Sequence, residues 1–297
     1  MIALAGGGDP GSAALRRRGL EHLKAMAEDP PDPAVTSQDL TVDAAAGPIG
    51  MRLYDPGGAP GPVLVYFHGG GWVAGDLETH DGLCRRLALA ARIKLLAVDY
   101  RRAPEHTFPA PIEDGLAAMR WLVEQAAGLG VDPARIGIGG DSAGAGVAAA
   151  VALILRDAGG PAIALQLLIC PILDVARESP SRREFAEGYF LDHATMAADL
   201  ADYLPPGADP ADPRLSPLLA EQLDGLPPAL VHSAQYDPFR DEAAAYAQRL
   251  AAAGVSVQLT EHAGMIHYFY ALPRAIPYAR DAAEAIGTQL RALLNCE

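Results

Sequence analysis

Cysteine, tryptophan and positive charge are scarce in this chain of 297 residues, which holds three Cys, two Trp, and 23 Lys plus Arg against 37 Asp plus Glu. Cys84, Cys170 and Cys296 are odd in number, scattered and without metal-ligand spacing. That excludes a disulfide framework or a zinc site and reads as reduced thiols. Cys170 closes the apolar run 164–169 and is expected to be buried, Cys296 to be exposed. A net charge of −14 argues against nucleic acid or an anionic membrane as a partner. The longest apolar stretch, 143–155, contains glycine and falls short of the roughly 20 residues of a membrane span. Met1 to Ala5 is too short for a signal-peptide core, and Arg16-Arg17-Arg18 follows it rather than preceding it, so the chain reads as cytoplasmic. No repeat, low-complexity linker or G-x-x-x-x-G-K-[ST] phosphate loop is present. Gly137, Gly139 and Gly140 do not complete a dinucleotide turn, because Ser142 and Ala143 stand where its third glycine would fall.

Half of the residues are hydrophobic, enough for the core of a large α/β domain. Residues 1–11 are glycine-rich and read as mobile. Residues 12–28 read as an amphipathic helix with Leu15, Leu20, Leu23 and Met26 on one face, ended by Asp29-Pro30-Pro31-Asp32-Pro33. From residue 49, strands at 49–54, 62–67, 94–99, 135–139, 163–169, 229–234 and 255–261 alternate with helices at 81–91, 112–127, 143–156, 242–253 and 275–294. Continuous apolar strands separated by helices imply a mostly parallel sheet covered on both faces. The segment 176–225 breaks the rhythm with Glu178-Ser179-Pro180, Tyr189-Phe190 and a proline-rich stretch. The expected organisation is an N-terminal cap segment at 1–45, a core at 46–175 and 226–297, and a cap insertion at 176–225.

Two glycine-rich turns follow apolar strands: His68-Gly69-Gly70-Gly71-Trp72 and Gly140-Asp141-Ser142-Ala143-Gly144. The second lies between a strand and a small-residue helix, the setting of a nucleophile elbow. There Ser142 would stand exposed at the sheet edge, where the chemistry of such sheets collects. A serine hydroxyl needs a base, and the order Ser, acid, His leaves His262 and His267. His267, in the loop before the last helix, is the better placed; His262 reads as a structural residue at a strand end. Asp237, after strand 229–234 and before Pro238, is the expected acid. Asp241 and Glu242 read as acids favouring a helix N-terminus. The oxyanion donors would come from Gly69, Gly70 and Gly71 and from Ala143. His68 reads as an anchor for its loop, and Trp72 as either a pocket wall or a packing residue.

Both turns together resemble the hormone-sensitive-lipase-like (bacterial family IV) esterases of the α/β-hydrolase superfamily. The segments Asp99-Tyr100-Arg101, Ala103-Pro104-Glu105-His106, Phe108-Pro109-Ala110, Asp212-Pro213-Arg214, Ser216-Pro217, Asp237-Pro238-Phe239-Arg240-Asp241-Glu242 and Gly264-Met265-Ile266-His267 resemble that family as well. The resemblance covers about 45–294 and points to the subgroup written GDSAG. It implies an α/β-hydrolase fold with a helical cap and hydrolysis of short-chain carboxylic esters, without cofactor or metal and often as a homodimer. It implies a triad of Ser142, Asp237 and His267, with Gly70, Gly71 and Ala143 as oxyanion donors and Gly69 supporting them. Candidate substrate contacts are Trp72, Asp141, Tyr189, Phe190 and Tyr268, with Leu191 and Tyr203 also in the cap. Three features depart from the pattern. Tyr268 follows His267 where glycine is usual, Cys170 stands where an aromatic is common, and the first forty residues match poorly.

The expected activity is hydrolysis of a small-molecule ester through an acyl-enzyme. Cleavage of an aryl amide or a lactone stays open. A binding protein on the same fold, like the plant gibberellin receptors that lack the histidine, is disfavoured by His267. Long-chain lipase action is disfavoured by the lack of an exposed apolar lid stretch.

Overall fold

The computed structural model describes residues 11–58 and 60–294. The start of the glycine-rich segment and Cys296 lie outside the described residues.

Eight strands form one sheet: β1 (Thr36–Ala44), β2 (Gly47–Asp55), β3 (Gly61–Phe67), β4 (Lys94–Asp99), β5 (Val131–Asp141), β6 (Leu165–Ile169), β7 (Ala229–Tyr236) and β8 (Val257–Ile266). Their spatial order is β1-β2-β4-β3-β5-β6-β7-β8. The first two pairings, β1 with β2 and β2 with β4, are antiparallel, and all others are parallel. Central strands buried on both faces need apolar residues at every position; β6, Leu-Gln-Leu-Leu-Ile, is buried throughout. Its one polar side chain, Gln166, donates to the Pro227 carbonyl at 3.1 Å.

Helices α2 (Asp81–Ala91) and α8 (Tyr278–Leu293) cover one face of the sheet. The other face is covered by α3 (Ala110–Gln125), α4 (Ala143–Asp157) and α7 (Arg240–Ala252). Three more helices lie toward the edge that carries Ser142: α1 (Ala13–Ala27), α5 (Pro180–Glu184) and α6 (His193–Tyr203). Ser12 caps α1, accepting from the Leu15 N–H, and Asp192 caps α6, accepting from the Thr195 N–H at 2.8 Å. Arg17 ties α1 to the core through the carbonyls of Val73 and Ala103, each at 2.8 Å.

The expected strands and helices recur with shifted ends. The additional strand β1 carries mostly exposed residues, with Val42 its one buried side chain, so it lacks the apolar alternation that marks a strand. The sheet therefore begins at Thr36, inside the segment expected to be cap. On α1, Leu23 and Ala27 face inward, whereas Leu15 and Met26 are 49% and 44% exposed. The inward face is narrower than the sequence pattern implies.

Helices α2 and α8 meet where a Cβ on Gly287 would overlap the Ala90 backbone. Gly287→Ala is therefore expected to destabilise the protein by about 1–3 kcal/mol through overpacking. Urea unfolding reads this, and an unchanged midpoint would contradict the contact.

Candidate active site

Ser142 occupies a turn that few residues adopt. Its φ of 53° and ψ of −121° cost a non-glycine residue on the order of 1–3 kcal/mol. The neighbouring framework imposes them. The Ser142 N–H donates to the Ile169 carbonyl at 2.8 Å, and its carbonyl accepts from the Ile172 N–H at 3.2 Å. Gly140 and Gly144 leave room for the turn, since a Cβ on either would collide with the Phe67 carbonyl oxygen. The turn lifts the hydroxyl off the end of β5, at the start of α4.

Three loops bring the expected Ser, His and acid together. The Ser142 Oγ lies 3.0 Å from His267 Nε2, and His267 Nδ1 lies 2.8 Å from Asp237 Oδ2. Asp237 Oδ1 accepts the Phe239 N–H at 2.8 Å, which fixes the carboxylate plane. With Nδ1–H donating to Asp237, Nε2 is left to accept from the serine hydroxyl. All three residues are buried. His262 is elsewhere: it lies inside β8, with Nε2 3.0 Å from His232 Nδ1 and Nδ1 3.0 Å from the Tyr278 hydroxyl. Burial lowers the His262 pKa to about 4 and, with His262 alongside, that of His232 to about 3, so this pair stays neutral.

Cys170 closes the back of the site. Burial, with the Asp237 charge alongside, pushes its thiol well above the ordinary pKa. Among the described residues, Cys170, Asp237 and His267 also form a group with potential metal-ligand atoms within 4.8 Å of one another. The Asp237 and His267 atoms in it are already bonded to each other and to Phe239 and Ser142.

Asp141 does not contact the cavity, contrary to its expected place among substrate contacts. It is fully buried beneath the glycine loop. Its carboxylate accepts from the Tyr66 hydroxyl at 2.8 Å, the Gly69 N–H at 3.0 Å and the Tyr270 hydroxyl at 3.0 Å. Burial alone would raise its pKa, but His80 at 3.4 Å and these donors hold it below the ordinary value. The side chain next to the serine points under the sheet edge while the serine points over it. The N–H of Gly69 is thereby committed to Asp141, so Gly69 supports the loop. Gly70 and Gly71 line the cavity. His68 holds the loop from below, with Nδ1 2.9 Å from the Gly69 carbonyl and its ring stacked on Tyr100 at 4.2 Å. Burial lowers the His68 pKa to about 3, so it stays neutral.

A cavity of about 300 Å³ opens over Ser142 and His267. Trp72, Phe190, Leu191 and Tyr268 line it, whereas Tyr189 and Tyr203 do not. Tyr189 instead stacks on Tyr236 at 5.6 Å. Tyr203 backs the cavity wall, stacked on Trp72 at 4.5 Å, so Trp72 both packs and lines. Tyr268 takes a φ of 66°, the left-handed conformation that glycine adopts most easily, and its ring stacks on Phe190. Three charged lining residues were not legible as site residues: Arg16 on α1, Arg182 on α5 and Asp199 on α6. Arg182 is tied to Glu242 at 2.5 Å. Glu242 also accepts the N–H groups of Leu173 and Asp174 at 2.9 and 3.0 Å. It is therefore a buried brace between the cap and the core as well as a first-turn acid. Burial raises its pKa to about 7 despite Arg182.

A profile of the α/β-hydrolase fold matches residues 64–271. The chain belongs to the hormone-sensitive-lipase-like α/β hydrolases. Within that family it is 41% identical to Esterase LipI of Mycobacterium tuberculosis, over 97% of this chain and 90% of that protein. It is 38% identical to the ethyl acetate hydrolase of Pseudomonas putida, covering 89% of this chain and 85% of that protein. Among solved structures it is similar to the ester hydrolase EH1AB1 from the metagenome of Lake Arreo, complexed with a bipyridine phosphonate derivative. The TM-score is 0.92 at 44% identity, covering 96% of this chain and 91% of that one. Among the described residues, no helix is long and apolar enough to cross a membrane.

Two predictions follow from these contacts. Asp141→Asn leaves the loop without its anionic acceptor and is expected to lower kcat by about ten- to a hundred-fold, short of losing an oxyanion donor outright. KM should change little, and steady-state kinetics with an unchanged kcat would contradict the loop's dependence on Asp141. The second concerns Asp199, whose pKa burial raises to about 7 against the pull of Arg16. The unfolded carboxyl titrates near 3.9, so the folded state holds the extra proton between roughly pH 4 and 7 and loses stability as pH rises through that window. Asp199→Asn removes this slope. Its stability relative to wild type should be more favourable at pH 8 than at pH 4, and parallel denaturation curves at the two pH values would refute it.

Proposed function

We propose that the protein hydrolyses carboxylic esters of short to medium acyl chain through an acyl-enzyme on Ser142. The observation that carries this reading is the unbroken chain from Ser142 Oγ to His267 Nε2 and from His267 Nδ1 to Asp237, set beneath a glycine loop. His267 takes the Ser142 proton as Oγ attacks the ester carbonyl. Asp237 holds the imidazole in the tautomer that can accept that proton and stabilises the imidazolium that results. The N–H groups of Gly70, Gly71 and Ala143 receive the oxyanion, with Gly69 and Asp141 holding the loop in register. The C–O bond to the alcohol then breaks, and His267 gives its proton to the leaving alkoxide. In the second half, His267 draws a proton from water as the water attacks the acyl carbonyl, then gives that proton to Ser142 Oγ as the acyl–oxygen bond breaks and the acid leaves.

The relatives' names support an ester as the substrate: one is an esterase, one an ethyl acetate hydrolase and one an ester hydrolase. The cavity supports a small one. Its walls are mostly apolar, with Leu20, Leu23, Ile172, Val175 and Phe239 among them, and at about 300 Å³ it suits a short acyl group with a small alcohol.

Hydrolysis of p-nitrophenyl esters from acetate to palmitate tests the reading. Rates should peak at short to medium chains, and Ser142→Ala should lower kcat by at least about 10³-fold, as losing a triad nucleophile does. Persistent turnover in that variant would refute Ser142 as nucleophile. Faster cleavage of anilides or lactones than of matched esters would move the activity to that acyl class.

A further inference from the structure

The cavity over Ser142 holds a carboxylate whose charge is incompletely matched. Asp199, on α6, is only 8% exposed. Its carboxyl lies directly against Gly71, where a Cβ would collide with Oδ2. Oδ1 faces Arg16 Nε at 2.7 Å. The same guanidinium also binds Asp202 and donates to the Gly11 carbonyl at 2.8 Å. One cation thus serves two carboxylates, and above the raised pKa of Asp199, with both ionised, the cluster carries one negative charge in excess. Oδ2 makes none of the hydrogen bonds of this cluster, and Asp199 forms part of the cavity wall. Arg16 lines the same wall, and the third charged wall residue differs. Arg182 is neutralised by Glu242 at 2.5 Å and also donates to the Asp174 carbonyl.

A buried carboxylate with an open side is costly unless a cation meets it. The raised pKa of Asp199 reflects the same shortfall, burial outweighing the attraction of Arg16. Aromatic rings complete the setting, because Trp72, Phe190 and Tyr268 line the same cavity. Ring faces attract cations, quaternary ammonium groups included.

We propose that Asp199 forms a cation subsite, and that the esters this protein takes best carry an ammonium or quaternary ammonium group that settles against its carboxylate. The inference rests on the ester-hydrolase reading and adds a substrate class to it. It involves no further covalent step.

Isosteric pairs that differ only in charge test it. Acetylcholine against 3,3-dimethylbutyl acetate places the charge in the alcohol half. The p-nitrophenyl esters of 4-(trimethylammonio)butanoate and 5,5-dimethylhexanoate place it in the acyl half. At pH 8 and low salt, kcat/KM for the charged member should exceed that of its carbon isostere about tenfold in one of the pairs, a gain typical of a desolvated cation contact. Asp199→Asn should remove most of that preference. The ratio is taken within each protein, so a general loss of activity or folded fraction cancels. Choline should also inhibit the wild type more strongly than 3,3-dimethylbutanol does, a comparison that needs no variant. Ratios at or below one in both pairs, choline no better than its isostere, or a preference that survives Asp199→Asn would each overturn the subsite. Neutral esters would still be cleaved in those cases, whereas failure to cleave any ester would instead remove the ester-hydrolase reading.

Discussion

Everything at the catalytic edge depends on one strained peptide turn. Ser142 holds a positive φ that its side chain disfavours, and the parallel sheet keeps it there. Ile169, at the end of β6, takes its N–H, and Ile172 donates to its carbonyl. Gly140 and Gly144 let the turn press against the carbonyl end of β3. The strain is local and the restraint is spread over three strands, so the hydroxyl is fixed before any ligand arrives. Preorganisation of this kind removes reorganisation from the chemical step.

A buried anion supports that turn from below. Asp141 joins the elbow to the glycine loop through the Gly69 N–H, and the hydroxyls of Tyr66 and Tyr270 with the His80 imidazole make its charge tolerable. Ser142, the proposed nucleophile, and the loop that would hold the oxyanion therefore share one electrostatic anchor. The cap is bound differently, by ion pairs that reach across the chain: Arg182 to Glu242, Arg16 to Asp199 and Asp202, and Arg17 to Glu105. Of these, Arg182, Arg16 and Asp199 stand in the wall of a mostly apolar cavity.

Local features made much of this legible in the sequence. An apolar strand, a glycine turn and a small-residue helix follow one another at 135–156, and that succession marks the elbow. Chain order narrows the base to His262 and His267, and position finishes the choice: His267 lies in the loop before the last helix, and Asp237 directly follows a strand. What escaped depends on direction or on distance. Strand alternation at a sharp turn sends Asp141 under the edge while Ser142 goes over it, and a motif string does not carry that sense. Glu242 looks like a first-turn acid until α5 brings Arg182 against it from a distant segment. Strand β1 escaped because its outward residues carry little apolar pattern, and Asp199 because nothing near it in sequence marks it as a wall of the site.

The most direct measurement of the central claim is a crystal structure of the protein inactivated by a phosphonate ester, a mimic of the tetrahedral intermediate. Phosphorus is expected on Ser142 Oγ, with the phosphoryl oxygen about 2.7–3.1 Å from the N–H groups of Gly70, Gly71 and Ala143 and His267 Nε2 facing the leaving-group side. Phosphorus bound to another residue, or a phosphoryl oxygen turned away from the glycine loop, would contradict it.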